Sequence, residues 1–129
     1  MLPEAEEWIA QAEYDIETAR VMYQGGRYLY TLFMCHLATE KALKAYVVER
    51  TGQTPPRTHD LLILMQKGDP PLAENYREFV GSMNVMGIAT RYPEDLSRAL
   101  KKYSQDVARE FLNQTREVLV CLKRGLLTP

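Results

Sequence analysis

The two histidines are the side chains best suited to acid–base or metal chemistry, but neither stands in a known metal-binding pattern. His36 lies in a long apolar segment, and His59 precedes Asp60. The chain lacks a Glu-x-x-His pair, zinc-type Cys/His spacing, a glycine-rich phosphate loop and a G-x-S-x-G turn. The pair His59-Asp60 resembles ligands of some metal phosphohydrolases, yet two residues cannot fill a coordination sphere. Asp60 is better explained as a partner of a helix dipole. We therefore predict no metal and no cofactor.

Arg91, in the tripeptide Arg91-Tyr92-Pro93, is the first candidate for a binding site. It falls at the C-terminal end of a predicted helix, where a cation is favoured by the helix dipole. The same guanidinium is suited to clamping a phosphate. The residues alone leave both interpretations open. Tyr92 either packs against the protein or stacks on a base, and packing is the more common role.

A second group of candidates is found on one helix. Glu40 and Lys44 stand four residues apart in the order that favours an ion pair on a helix surface. Lys41 is either a solvated surface charge or a phosphate ligand, and the surface role is favoured. His36 is one turn before Glu40 and could pair with it. His59 is more simply a structural histidine than a site residue.

Helical periodicity runs through the whole chain, and no alternating pattern typical of strands occurs. The first helix begins near Pro3 and stops at Gly25-Gly26, and the second runs from Arg27 to Thr51. A short third helix follows a Thr58 cap, and the fourth covers residues 72–90. A final helix follows Ser104, and residues 94–103 are either a loop or a short helix. Gly81 and Gly87 weaken the fourth helix, which a close helix crossing would explain. These elements predict an all-α fold, an up-and-down antiparallel bundle of four long helices and one short helix.

The second helix begins with an apolar run, residues 28–35, that covers almost every side. A helix that is apolar all round is buried on more than one side. We interpret it either as the central helix of the bundle or as a helix shared with a second subunit.

Length and composition define the class of protein. The chain has 129 residues, 46% of them hydrophobic and 26% charged, which is typical of one globular domain and excludes a disordered or fibrous protein. We assign residues 1–129 to a single domain. Two distant cysteines fit a reducing compartment, and neither a secretory signal nor a membrane span is visible. The expected location is cytoplasmic.

The net charge of −1 conceals an asymmetry between the two ends of the chain. Residues 1–20 carry six acids and one base, whereas residues 96–129 carry seven bases and three acids. The favoured interpretation is that the two end segments lie side by side and complement each other. The alternative is a basic face that binds a polyanion.

Three segments together resemble the HEPN family, the helical domains named for higher eukaryotes and prokaryotes nucleotide binding. The first contains Trp8, A-E-Y-D at 12–15 and G-R-Y at 26–28. The second contains C-H-L-A-T-E-K-A-L-K-A at 35–45, followed by T-H-D-L at 58–61, and the third is R-Y-P at 91–93. Each is weak alone, but their order and spacing are specific, and they cover nearly the whole chain.

The resemblance implies a helical bundle that commonly forms a dimer. Many prokaryotic members are paired with a minimal nucleotidyltransferase in a toxin–antitoxin module, and a related domain binds nucleotides. Many members are also metal-independent ribonucleases with an Arg-x(4–6)-His motif in a late helix. This chain departs from that motif, because no histidine follows Arg91. His59 could still approach Arg91 in space.

We therefore predict a non-catalytic nucleotide-binding and interaction module that forms a homodimer and pairs with a nucleotidyltransferase-type protein. Its mechanism would be recognition of a phosphate by cations, with stacking of the base. The candidate ligands of the nucleotide or phosphate are Arg91, Tyr92, Lys41, His59, Lys44 and Glu40. The alternatives are an RNA-cleaving toxin with a non-standard site that uses Arg91 and His59, and a purely structural dimeric subunit.

Overall fold

Six helices make up the fold in the computed structural model, which describes residues 1–128. They are α1 (Pro3–Gln24), α2 (Tyr28–Thr51), α3 (Leu61–Gly68), α4 (Glu74–Arg91), α5 (Leu96–Lys102) and α6 (Gln105–Leu127). No strand occurs in this range, so the all-α prediction is confirmed. The bundle has two short helices rather than one, because residues 96–102, left open by the sequence, form α5 behind an Asp95 cap. None of the helices within residues 1–128 has the length and hydropathy needed to cross a bilayer.

The α2 helix is the centre of the bundle and contacts each of the other five helices. Its side chains from Ala42 to Val48 are all buried, including Tyr46. These contacts confirm the central-helix interpretation, although in the apolar run 28–35 only four of the eight residues are buried and Tyr30 is 54% exposed. The polar side chains that α2 buries, among them His36 and Glu40, are held in fixed positions by the helices packed around them.

Most helix ends follow the sequence signals, and two do not. Pro3 is the first residue of α1, Gly52 ends α2 with a φ of 69°, and Ser104 Oγ accepts from Val107 N to cap α6. The cap of α3 was assigned wrongly to Thr58. The actual cap is Asp60, because the Thr58 hydroxyl accepts from the backbone N–H of Asp60 instead of from the helix. The fourth helix begins at Glu74, two residues after the predicted start.

The acidic and basic ends of the chain meet where α1 packs against α6. Lys123 on α6 forms an ion pair with Glu13 on α1. The favoured interpretation of the charge asymmetry, that the two end segments complement each other, is therefore confirmed at this contact. Exposed pairs of this kind contribute little stability each, about 0–1 kcal/mol.

Candidate functional site

A cavity of about 350 Å³ opens where the C-terminal part of α4 passes over α2 and the start of α3. Central α2 forms its floor, α4 forms one wall, and the segment before α3 forms the other. The lining residues are His36, His59, Asp60, Asn84, Gly87, Ile88, Arg91 and Tyr92. We call it the Arg91 cavity. It brings Arg91, Tyr92 and His59 together, although His59 is separated from the other two by more than thirty residues of sequence.

Arg91 is the one permanently charged cation among the lining residues, and Asp60 is the one carboxylate. Its guanidinium carbon lies 4.8 Å from the centre of the Phe33 ring. Its Nε is buried and has no hydrogen-bond partner within residues 1–128, and no carboxylate in that range forms an ion pair with it. Leaving a buried donor unsatisfied costs about 1–3 kcal/mol. The part of the guanidinium that lines the cavity remains available to an anion.

Buried Glu40 anchors the opposite wall of the cavity. Its side chain is 3% exposed, and its Oε2 accepts from Lys44 Nζ at 3.2 Å. Its Oε1 is 2.8 Å from His59 Nδ1. Because an ionised carboxylate only accepts, His59 donates through Nδ1 and keeps Nε2 free. The ring of His59, 65% exposed, is thereby oriented by a rigid partner in the core.

Lys44 is neither on the surface nor free to bind a ligand. Besides Glu40, it contacts the face of Trp8, with Nζ 5.2 Å from the ring centre. The predicted Glu40–Lys44 pair is confirmed, but it is buried rather than solvated. Lys41 is also engaged elsewhere, since its Nζ lies 2.8 Å from Oδ2 of buried Asp15 on α1. Neither lysine lines the Arg91 cavity.

His36 forms the floor of the cavity as a neutral imidazole. It is 2% exposed, and its Nδ1 has no hydrogen-bond partner in the described part of the chain. Its pKa is lowered from 6.5 to about 4, mainly by burial; Glu40 opposes this shift, and nearby Arg91 and His59 add to it. The suggested His36–Glu40 pair is not formed, because His59 takes the free oxygen of Glu40.

Gly87 is what lets α4 approach His36. A Cβ at this position would lie 2.4 Å from His36 Nε2, so no larger residue fits without displacing the ring. The close crossing suggested for the glycines of α4 is thus real at Gly87. It is absent at Gly81, where a Cβ would meet only Leu62 Cδ2 at 3.8 Å.

Asp60 and Asn84 tie α3 to α4 at the rim. Asp60 Oδ1 accepts from Leu62 N at 3.0 Å, from Ile63 N at 3.3 Å and from Asn84 Nδ2 at 3.1 Å. Asn84 Oδ1 accepts from Leu61 N at 2.8 Å. The role of Asp60 as a partner of the helix dipole is confirmed. Within residues 1–128 no three His, Cys, Asp or Glu side chains are grouped as metal ligands would be.

Sequence reasoning did not assign five of the lining residues to the site: His36, Asp60, Asn84, Gly87 and Ile88. Gly87 had a sequence signal, because a glycine inside a helix weakens it and is usually kept for a packing reason. Nothing in the local sequence of Asn84 predicts that it binds the first residue of a helix 23 residues earlier.

Comparison with known proteins identifies relatives of the whole chain. The family model of the HEPN domain matches residues 5–125. The crystal structure of TT1696 from Thermus thermophilus superposes with a TM-score of 0.83 at 26% identity, covering 96% of this chain and 99% of that one. ST0689, an archaeal HEPN homologue, superposes with a TM-score of 0.68 at 23% identity, covering 97% and 99%. No curated protein matches.

Proposed function

Because the chain belongs to the HEPN domain family, we propose that it is a binding module that holds the phosphate of a nucleotide in the Arg91 cavity. The observation that supports this most is the guanidinium of Arg91, which lines a cavity without a carboxylate partner in the described chain and has a buried, unsatisfied Nε. A cation left in this state in a cavity is suited to an anion. Arginine also offers two parallel donors, which match the geometry of a phosphate.

The other walls supply what recognition of a nucleotide needs besides charge. Tyr92 is 75% exposed at the rim, and an exposed aromatic ring can stack on a base. His59, held by Glu40, presents Nε2 for a hydrogen bond. The mechanism is recognition without bond breaking: Arg91 clamps the phosphate, and Tyr92 holds the base. Lys41 and Lys44 take no direct part, and Glu40 acts by orienting His59.

The test is calorimetric titration of the protein with AMP at low salt. Arg91→Ala should weaken binding by roughly 10- to 100-fold, as expected for a hydrogen-bonded charge pair of about 1.5–3 kcal/mol. Arg124→Ala removes the same charge from the last turn of α6, outside the cavity, and serves as the control. Equal affinity of the two variants would contradict the proposal. If the wild-type protein does not bind AMP, the proposal fails and the alternative of a purely structural subunit is favoured.

A second candidate function is cleavage of RNA, and one contact favours it. Glu40 fixes Nδ1 of His59 at 2.8 Å, so Nε2 is an oriented base in the same cavity as Arg91. His59 would take the proton of the sugar 2′-hydroxyl as its oxygen attacks the phosphorus, and would return it to the 5′-oxygen as the bond from phosphorus to that oxygen breaks. Arg91 would stabilise the negative charge on the phosphate, so that the two residues replace the missing Arg-x(4–6)-His arrangement. The assay is metal-free cleavage of a labelled RNA, with His59→Ala as the inactive variant. Intact RNA with the wild-type protein would refute this candidate.

The homodimer is also part of the proposal, with an apolar surface as its support. The side chains Val85, Ile88, Leu96 and Leu100 are all more than half exposed, and we call this surface the α4–α5 face. Helix α5 buries none of its residues. Its N-terminal end is acidic, through Glu94 and Asp95, and its C-terminal end is basic, through Lys101 and Lys102. Two antiparallel copies of α5 would therefore join opposite charges at both ends.

A charge exchange tests this face. Glu94→Lys and Lys101→Glu should each weaken the homodimer, by roughly tenfold at low salt, because attraction becomes repulsion at both ends. Mixing the two variants should restore a heterodimer, since every end then joins opposite charges. Ile88→Asp should also produce monomers, while Tyr14→Asp, at an equally exposed site on α1, should not. A dimer that survives Ile88→Asp would refute the assignment.

The pairing with a nucleotidyltransferase-type protein is proposed from family membership alone. The test is affinity capture of the tagged chain from its native cells, with mass spectrometry of the captured proteins. A nucleotidyltransferase in stoichiometric amount would support a toxin–antitoxin pair. Recovery of the chain by itself would refute an obligate partner.

A further inference from the structure

We propose that the Arg91 cavity accepts a single phosphate group and discriminates against diphosphates and triphosphates. The inference rests on the proposed function, because it specifies which nucleotides that site prefers. The ligand chemistry is one phosphate attached to a nucleoside, whether it comes from a mononucleotide or from a phosphodiester in a chain.

The first argument is the supply of positive charge. A triphosphate carries about three to four negative charges, and phosphate sites meet them with several cations or a metal. Arg91 is the one permanently charged cation among the residues that line the cavity. The two candidate lysines on α2 could bind a phosphate only by giving up their ion-pair partners. Lys41 is bound to Asp15, and Lys44 is bound to Glu40 in the core.

Breaking either lysine pair would leave a buried carboxylate without its partner. Asp15 is 5% exposed and Glu40 is 3% exposed. Without Lys41, Asp15 would lose its cationic partner, and without Lys44, Glu40 would keep only His59, so freeing either lysine is unfavourable. The cavity therefore keeps one cation, whatever nucleotide enters it.

The second argument concerns the anion-binding end of α3, which also faces the cavity. Backbone N–H groups at the start of a helix commonly hold phosphates. Here the Asp60 carboxylate already accepts from Leu62 N and Ile63 N, so these donors are not available. The same carboxylate adds a negative charge to the wall. A second or third phosphate would meet Asp60 rather than a donor.

Two further cations lie outside the cavity, in a groove beside it. Arg98 and Lys102 line a neighbouring groove that shares Ile88 and Tyr92 with it. That groove also contains Glu94 and Asp95, so its two cations are balanced by two anions. This groove therefore has no net positive charge for the distal phosphates of a nucleotide whose first phosphate is bound to Arg91.

The experiment is parallel calorimetric titration with AMP, ADP and ATP in buffer without divalent cations. AMP should bind most tightly, and ATP should bind roughly tenfold more weakly, because each added phosphate approaches Asp60 without meeting a cation. Titration with the dinucleotide ApA distinguishes the source of the phosphate. Affinity at least equal to that of AMP indicates a phosphodiester, and weaker affinity indicates a terminal phosphate.

Asp60→Asn is the variant that isolates the electrostatic cause. Asparagine is as good a helix cap as aspartate, so α3 should stay folded while the negative charge is removed. The preference for AMP over ATP should shrink in this variant, mainly through a gain in ATP affinity. Glu78→Gln, a charge on α4 that does not line the cavity, should leave the preference unchanged.

The outcomes separate this inference from the proposed function. If ATP binds more tightly than AMP and Arg91→Ala weakens both, the site is a nucleotide site but the single-phosphate inference is wrong. If none of the nucleotides binds, the proposed function itself fails. An unchanged preference in Asp60→Asn overturns the role given to Asp60.

Discussion

Gly87 gives the sharpest test of how the cavity is built, because the same helix contains its own control. In Gly87→Ala, the new Cβ would lie 2.4 Å from Nε2 and 2.6 Å from Cδ2 of His36. At these distances the His36 ring, which is 2% exposed, must shift from its packed position on the floor of the cavity. In Gly81→Ala, the Cβ would meet only the end of the Leu62 side chain at 3.8 Å, an ordinary contact.

The two substitutions stabilise the helix by the same amount and differ in the cost of packing the new methyl group. Alanine in place of glycine inside a helix stabilises it by about 0.5–1 kcal/mol. Gly81→Ala should therefore raise the free energy of unfolding by that amount. Gly87→Ala gains the same amount but overpacks the crossing of α4 with α2, which typically costs about 1–3 kcal/mol. We expect the two variants to differ by about 1–3 kcal/mol, with Gly87→Ala the less stable.

The assay is urea unfolding followed by circular dichroism in the far ultraviolet, with AMP titration of both folded variants. Gly87→Ala should also bind AMP more weakly, since displacement of His36 changes the floor of the Arg91 cavity. Gly81→Ala should bind like the wild type. Equal stability of the two variants, or a more stable Gly87→Ala, would refute the close contact on which this description of the cavity depends.

Three further predictions concern buried groups. The pKa of His36 is lowered from 6.5 to about 4, so between these pH values the unfolded chain holds a proton that the folded chain lacks. The free energy of unfolding is therefore at its full value above pH 6.5 and should fall by about 3 kcal/mol as the pH drops through this window. Chemical unfolding at several pH values should show a smaller fall in His36→Gln. Burial raises the pKa of Cys35 to about 12, so in the native protein a thiol reagent under mildly alkaline conditions should label Cys121 faster than Cys35, and equal rates would contradict this burial. Tyr46→Phe removes the bond from Oη to Leu122 O, 2.8 Å long and buried, and should lower the free energy of unfolding by about 1–2 kcal/mol; no change would show that the bond contributes nothing.

The bounds of the helices were largely predictable because they depend on nearest neighbours in sequence. Proline at Pro3 and the left-handed conformation of Gly52 act locally, whatever the rest of the chain does. The cap of α3 was not predictable in this way. Thr58 and Asp60 are both good caps, and the choice depends on Asn84, which reaches Asp60 from another helix.

The candidate site was predicted only in part, because the partners of its charged side chains depend on how the helices pack. Arg91 and His59 were identified by residue type and by the family resemblance, and the fold does bring them to one cavity. The partners of the charges could not be foreseen. Lys41 has Asp15 as its partner on α1, and Glu40 is bound to His59, which follows it by 19 residues and lies outside its helix. Such choices are set by helix packing, which a single sequence does not reveal.

The most direct test of the central claim observes the Nε–H group of Arg91 itself. In a nitrogen-15 NMR spectrum of the arginine side chains, the Arg91 signal is assigned by its absence in Arg91→Lys. Addition of AMP should shift this signal, because an anionic oxygen bound to the guanidinium changes the electronic environment of its Nε. The Arg124 signal should stay in place. Saturating AMP that leaves the Arg91 signal unmoved would contradict the claim that this arginine is the phosphate ligand.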